Sequence, residues 1–179
     1  MNDFASALAS ADLIHDEDVL IAAIARLGNA IDAALDLQPA VFLTVMQGAL
    51  PFAGQLATRI RAPLVFDYVH ATRYRGENSG GELDWRQRPR TSLAGRTVLL
   101  VDDILDEGHT LKAIRDECLA QGAARVLIAV LCEKRHDRCA EGMSADFVGV
   151  EVPDRYVFGY GMDFSEQGRN LPAIYAVRD

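Results

Sequence analysis

Residues Thr97 to Leu111 read TVLLVDDILDEGHTL, and the fold is decided there. Thr97-Val98-Leu99-Leu100-Val101 is an unbroken β-branched and aliphatic run, the mark of a strand buried on both faces. Two carboxylates, Asp102 and Asp103, stand where such a strand ends. Burying them unpaired is costly, so they belong at a sheet rim facing a cation or hydroxyls. Asp106-Glu107-Gly108-His109-Thr110 follows, and then a helical pattern with Leu111, Ile114 and Cys118 on one face. A turn with a glycine between a buried strand and a helix start offers backbone N–H groups to an anion. The stretch thus sets carboxylates for a sugar diol or metal beside a cradle for a phosphate. The spacing alone fits equally an ordinary βα turn, with Asp106 capping the helix and the aspartate pair solvated.

The rest of the chain supplies the surroundings of that strand. Val41–Met46 (VFLTVM) and Arg125–Leu131 (RVLIAVL) are two further buried runs, and helical spacing separates them from their neighbours. The β-α-β-α-β order predicts an α/β fold with a parallel sheet. Val19, Leu20, Ile24, Leu27, Ile31 and Leu35 predict a helix from Asp16 to about Leu37, which Gly28-Asn29 bends or splits. Leu50-Pro51 opens another helix running to about Ile60, and Leu64–Thr72 is a strand. Gln47-Gly48 lies between the second buried strand and its helix, where glycine permits a close approach; a plain turn fits as well. Arg73–Arg90 is polar and glycine-rich, a connection long enough to be either functional or solvated loop. Lys134 follows the third buried strand at the C-terminal rim, where ligands bind in open α/β sheets, although a solvated charge cluster reads the same.

A length of 179 residues fits one domain, 1–179, with a real core. Eighteen basic against 26 acidic residues give a net charge of −8. That balance disfavours nucleic acid and anionic membrane as partners. The N-terminus lacks a basic segment and a long apolar core, so no secretory signal is expected. No apolar run approaches the ~20 residues of a membrane span. Three scattered cysteines without a CxxC pair fit a reduced, cytoplasmic protein with no zinc site.

VLLVDDILDEGHTL resembles the signature of the type I phosphoribosyltransferases: a hydrophobic run, two acids, two aliphatics, then Asp-Thr/Ser-Gly with a threonine soon after. Asp102, Asp103, Asp106, Gly108 and Thr110 fit it, and Glu107 departs from it. DFVGVEVPDRYVFGYGMDFSEQGRNL, from Asp146, is similar to the hypoxanthine-guanine members of that family, DFxGxxxPDxFVVGYxxDxxxxxRxL. The likeness runs from roughly Val41 to Val177. It implies a Rossmann-like parallel sheet flanked by helices, a small hood subdomain formed by the N- and C-terminal segments, and a lid over about 73–90. Within the lid Tyr74 fits the family's Ser-Tyr and Arg73 does not.

The resemblance further implies an enzyme moving 5-phosphoribosyl from its pyrophosphate to hypoxanthine or guanine, with Mg2+ as cofactor. Asp106 would be the general base, and Asp102 and Asp103 would hold ribose hydroxyls or metal. Glu107, Gly108, His109 and Thr110 would bind the 5′-phosphate, with the Glu107 side chain turned to solvent. Gln47, Gly48 and Arg169 would bind pyrophosphate, with Gln47 where a Lys or Arg is usual. Lys134 would donate to the 6-oxo group, Tyr156 would stack on the purine, and backbone at Val157 would read its edge. Asp163 would be a magnesium ligand. A homodimer or homotetramer is implied as well. The alternatives are a regulator of this fold that binds nucleotide without turnover and an enzyme for adenine, orotate or uracil. The first is disfavoured by the net acidity and the lack of an added nucleic-acid-binding domain, the second by Lys134 and the VPDRYVFGYGMD segment.

Overall fold

A computed structural model describes residues 3–73 and 83–178. Its main sheet is built from the buried runs. The strands are β2 (Ala40–Val45), β3 (Leu64–Arg73), β4 (Leu83–Gln87), β5 (Thr97–Leu105), β6 (Arg125–Lys134) and β7 (Phe147–Val152), in the order β4-β3-β2-β5-β6-β7. β3, β2, β5, β6 and β7 are parallel. β5 and β2 are therefore central, and the acidic end of β5 emerges at the C-terminal rim between β2 and β6.

The expected all-parallel sheet carries one antiparallel edge. Residues 83–87, expected to be lid loop, pair as β4 with β3, Ala71 opposite Trp85 and Thr72 opposite Asp84. The cause is apolar. Trp85 packs against the part of the core that holds Leu111, Ile114 and Cys118 and carries the Arg88 guanidinium 4.6 Å above its ring. Tyr74 lies outside the described residues.

Alternation along β2 divides the core. Ala40 and Phe42 face α2 (Glu17–Leu35) and α3 (Leu50–Ala57), whereas Val41, Leu43 and Val45 face α4 (His109–Ala120). Asp16 caps α2 by accepting from the Val19 N–H at 3.0 Å. The expected break at Gly28-Asn29 is absent, because α2 runs unbroken. Gly28 instead admits a neighbour: a Cβ there would lie 2.7 Å from Arg59 Cβ. Asp32, one turn on, accepts from the Arg61 and Ala62 N–H groups and from Arg61 Nε, which fixes the connection from α3 to β3.

A second, antiparallel sheet joins the chain's two ends. It consists of β1 (Asp12–His15), β9 (Ile174–Ala176) and β8 (Val157–Phe158), in the order β1-β9-β8. Before it lies α1 (Phe4–Ser10), whose Phe4 ring sits 6.2 Å from Phe158 and 6.4 Å from Phe164. Among the described residues no helix is long and apolar enough to cross a membrane.

Candidate active site

β5 ends in an acidic corner. Asp103 is buried, and its Oδ1 accepts from the Ile104 N–H at 2.8 Å; Asp102 Oδ1 accepts from the Asp103 N–H at 3.0 Å. Burial pushes the Asp102 carboxyl well above the usual carboxylate range, and the Asp103 charge pushes it further. Asp103 is raised by burial too, but the Asp102 side chain, the Ile104 N–H and the Arg169 charge hold it back. Two carboxylates so crowded favour keeping a proton or gaining a cation.

The turn after β5 removes one part of the plainer reading of its spacing, Asp106 as the helix cap. Gly108, not Asp106, takes the cap position of α4, with φ 76°, and no side chain caps the helix. A Cβ on Gly108 would also come within 2.7 Å of Met143 Cγ, so packing and backbone both require glycine. The helix start is left as a bare anion cradle. A cavity of about 300 Å3 is lined by Asp102, Asp103, Ile104 and the run Asp106–Leu111, including the Glu107, His109 and Thr110 positions. The Glu107 carboxylate is half exposed and 3.8 Å from His109 Nε2.

Asp106 is held from two sides. Its Oδ2 accepts from Lys134 Nζ at 2.6 Å, and its Oδ1 lies 2.6 Å from His136 Nε2. Burial pushes the Asp106 carboxyl up, yet hydrogen bonds from Lys134 and His136, with the Lys134 charge, outweigh it and hold the group below its ordinary value. Asp106 also lines a second cavity of about 520 Å3 with Glu133, Lys134, Arg135, His136, Cys139 and Glu151.

The loop after β2 and the C-terminal segment close the rim. The Met46–Gln47 peptide is cis, and Gln47 is exposed. A Cβ on Gly48 would strike Asp103 Oδ2 at 2.0 Å, and one on Gly161 would strike the Gly48 carbonyl oxygen at 2.0 Å. Arg169 donates to the Gly161 carbonyl at 2.5 Å and to Asp163 Oδ1 at 2.7 Å. Asp163 Oδ2 accepts from the Glu166 N–H, and its carbonyl accepts from the exposed Tyr156 hydroxyl at 2.9 Å. The Tyr156 ring stands edge-on to Phe164. Val157 is buried in β8 opposite Ala176.

The sequence matches the phosphoribosyl transferase domain family over residues 10–165. This chain belongs to that phosphoribosyl transferase family. A hypoxanthine-guanine phosphoribosyltransferase of Streptococcus pneumoniae is 32% identical over 179 residues, covering 99% of this chain and 96% of the relative. One from Aquifex aeolicus is 33% identical over 169 residues, covering 93% and 94%. The fold agrees. A hypoxanthine phosphoribosyltransferase structure from Staphylococcus aureus has a TM-score of 0.88 at 28% identity, with 99% of this chain and 96% of that one covered. A hypoxanthine-guanine enzyme structure from Bacillus anthracis, with HEPES in its active site, reaches 0.87 at 27% identity, covering 93% and 98%.

Most, though not all, of the expected residues lie together at one rim. Asp102, Asp103, Asp106 and residues 107–110 share a cavity, Lys134 bonds to Asp106, and Gly48 touches Asp103 and the loop that carries Asp163 and Arg169. Sequence reasoning missed His136, lost in the polar run CEKRHDR. Its signal was its spacing: residues two apart at the end of a strand share a face, so His136 follows Lys134 toward the site.

Proposed function

We propose that this chain is a purine-salvage phosphoribosyltransferase, moving 5-phosphoribosyl from phosphoribosyl pyrophosphate to hypoxanthine or guanine and releasing pyrophosphate. One observation carries the residue roles: Asp106 and Lys134 lie 2.6 Å apart beside the bare start of α4. A base and a cation that donates to an oxo group are thus within reach of one purine, next to a phosphate cradle. The relatives' activity supports the same reading.

In this reading the 5′-phosphate rests on the N–H groups of Glu107, Gly108, His109 and Thr110 and on the Thr110 hydroxyl. Lys134 donates to the purine 6-oxo oxygen, Tyr156 covers the ring, and backbone at Val157 reads its edge. Gln47, Gly48 and Arg169 receive the pyrophosphate. Asp106 takes the imidazole-ring proton as a ring nitrogen bonds to the anomeric carbon and the carbon–oxygen bond to pyrophosphate breaks. Asp102 and Asp103 hold the ribose hydroxyls and favour the cationic sugar electrostatically.

Magnesium suits this corner. Asp102 and Asp103 offer hard oxygen donors in a place where burial makes two bare charges costly. Magnesium is commonly held by one or two carboxylates plus substrate phosphates rather than by a protein cage. Asp102 and Asp103 would hold it, and it would neutralise charge on the leaving pyrophosphate. Asp163, the other expected ligand, is bonded to Arg169 and to the Glu166 N–H, and among the described residues no three acidic, histidine or cysteine side chains cluster to hold a metal.

We place the enzyme in the cytoplasm, which its unpaired cysteines support. We also propose a homodimer or homotetramer. Phe66, Leu50 and Tyr68 are large exposed apolar side chains, and light scattering should return a multiple of 19.6 kDa. Incubation with phosphoribosyl pyrophosphate, magnesium and each base in turn tests the reading. Nucleotide and pyrophosphate should form with hypoxanthine or guanine. Turnover only with adenine, orotate or uracil, or with no base at all, would overturn it.

A further inference from the structure

We propose that His136 is a positioning residue that pins one oxygen of Asp106, leaving the other to be released by the arriving purine. The proposal deepens the phosphoribosyl-transfer reading and rests on it.

The two partners of Asp106 differ in kind. The His136 ring is 3% exposed, and its Nδ1 accepts from the Arg138 backbone N–H at 3.0 Å. A backbone amide only donates, so Nδ1 carries no proton, and Nε2–H is the donor to Asp106 Oδ1 at 2.6 Å. The ring is neutral and fixed on both edges. Arg138 is itself anchored, its guanidinium forked onto Asp154 at 2.8 and 2.7 Å. Lys134 is the opposite case: three rotatable donors on a flexible stem, bonded to Oδ2 at 2.6 Å.

A 6-oxo oxygen accepts and cannot donate, so it competes with Asp106 for the Lys134 ammonium. When Lys134 turns to it, Oδ2 loses its donor while Oδ1 stays on His136. The carboxylate keeps its orientation, and its free oxygen faces the ring N–H. The proton passes to Oδ2, the attacking nitrogen's pair forms the bond to the anomeric carbon, and the pair of the breaking bond leaves on pyrophosphate. With both donors in place Asp106 is a weak base, because they overcome the upward push of burial. A 6-amino group presents N–H rather than an acceptor, so it leaves Lys134 on Asp106 and the base occupied. Discrimination then falls on turnover as well as on binding.

The test compares wild type with His136→Ala and His136→Gln, the glutamine amide nitrogen standing near the place of Nε2. In His136→Ala, kcat with hypoxanthine should fall about 10- to 100-fold, as for loss of a hydrogen bond to a charged group, with KM little changed. The acid limb of kcat/KM should move to higher pH, because Asp106 loses a donor, and His136→Gln should restore both. Glu133, Lys134, Arg135, Cys139 and Glu151 line one cavity with His136 and Asp106, and Arg138 with its partner Asp154 adjoins the ring, but all are common to the three proteins, so the difference isolates His136.

An unchanged kcat in His136→Ala, or equal losses in both variants with a fixed acid limb, would overturn the proposal. Nitrogen-15 histidine NMR of the wild type needs no variant to fold. It should show the Nε2–H tautomer for His136, shifted by Asp106→Asn; the Nδ1–H tautomer or an imidazolium would refute it. Wild-type inactivity on every oxopurine would instead sink the transfer reading beneath it, whereas an active wild type with indifferent variants sinks this proposal alone.

Discussion

Gly48 exists to leave room for a carboxylate. With a Cβ at that position only 2.0 Å from Asp103 Oδ2, Gly48→Ala must push either the loop or the aspartate aside. Misplacing a reacting group by about 1 Å costs on the order of 100-fold, so kcat/KM should fall by about that much while the far-ultraviolet circular dichroism stays unchanged. Asp102 offers a test of charge rather than space. Its carboxyl is raised by burial and by Asp103, so the folded chain binds that proton more tightly than the unfolded one. The resulting stabilisation is complete below the unfolded value of 3.8 and is lost as pH rises through the higher folded value. At pH 8 in chelator the ionised group is therefore a burden. Asp102→Asn should melt about 3 °C higher there, equivalent to roughly 1 kcal/mol for a chain of this size, with the gain vanishing below that unfolded value and activity reduced throughout. A gain that ignored pH would contradict the assignment.

Among the elements, α2 shows where local preference and packing disagree. Glycine costs a helix interior about 1 kcal/mol against alanine, which by itself makes Gly28→Ala stabilising. A Cβ there would, however, lie 2.7 Å from Arg59 Cβ and 2.8 Å from the Arg59 carbonyl oxygen, and main chain does not swing aside. Overpacking of this sort costs about 1–3 kcal/mol. Net of the helix gain, the loss is up to about 2 kcal/mol, and the thermal midpoint should drop by up to about 6 °C; a rise would mean that α2 and the end of α3 slide apart freely. The same contrast explains what the sequence disclosed. β2, β5 and β6 were legible because burial on both faces leaves uninterrupted apolar runs, and the acidic corner was legible because charge cannot continue such a run. β4 was hidden, since its alternation rests on Trp85 within a stretch of arginines and glycines. α1 and β1 were hidden more deeply: Leu13 pairs with Tyr175, and nothing local announces a partner at the other end of the chain. His136 disappeared among charged neighbours because only the folded rim buries its ring.

Over the whole molecule, a chain of net charge −8 receives highly anionic substrates, so attraction must be local. On the proposed reading, amides at the start of α4, the Arg169 guanidinium and Lys134 would supply it at one rim, where low dielectric makes each count for more. The second sheet keeps part of that rim in place. β1 pairs with β9, Asp12 binds Arg155 and Arg178, and Phe4 touches Phe158 and Phe164; Phe164 in turn meets Tyr156. Deleting residues 1–15, which hold no candidate site residue, should raise KM for hypoxanthine about tenfold, the equivalent of 1.4 kcal/mol. KM for phosphoribosyl pyrophosphate should change less, and equal changes would show that the loss is general unfolding. One further consequence follows from the place where Gly161 rests on the Gly48 carbonyl. No side chain cushions that meeting, so a nudge given to either loop is handed straight to the other. On the proposed reading, any change that an anion on the first makes in the affinity for a nucleobase against the second is returned by the same factor in the other direction, whichever arrives first.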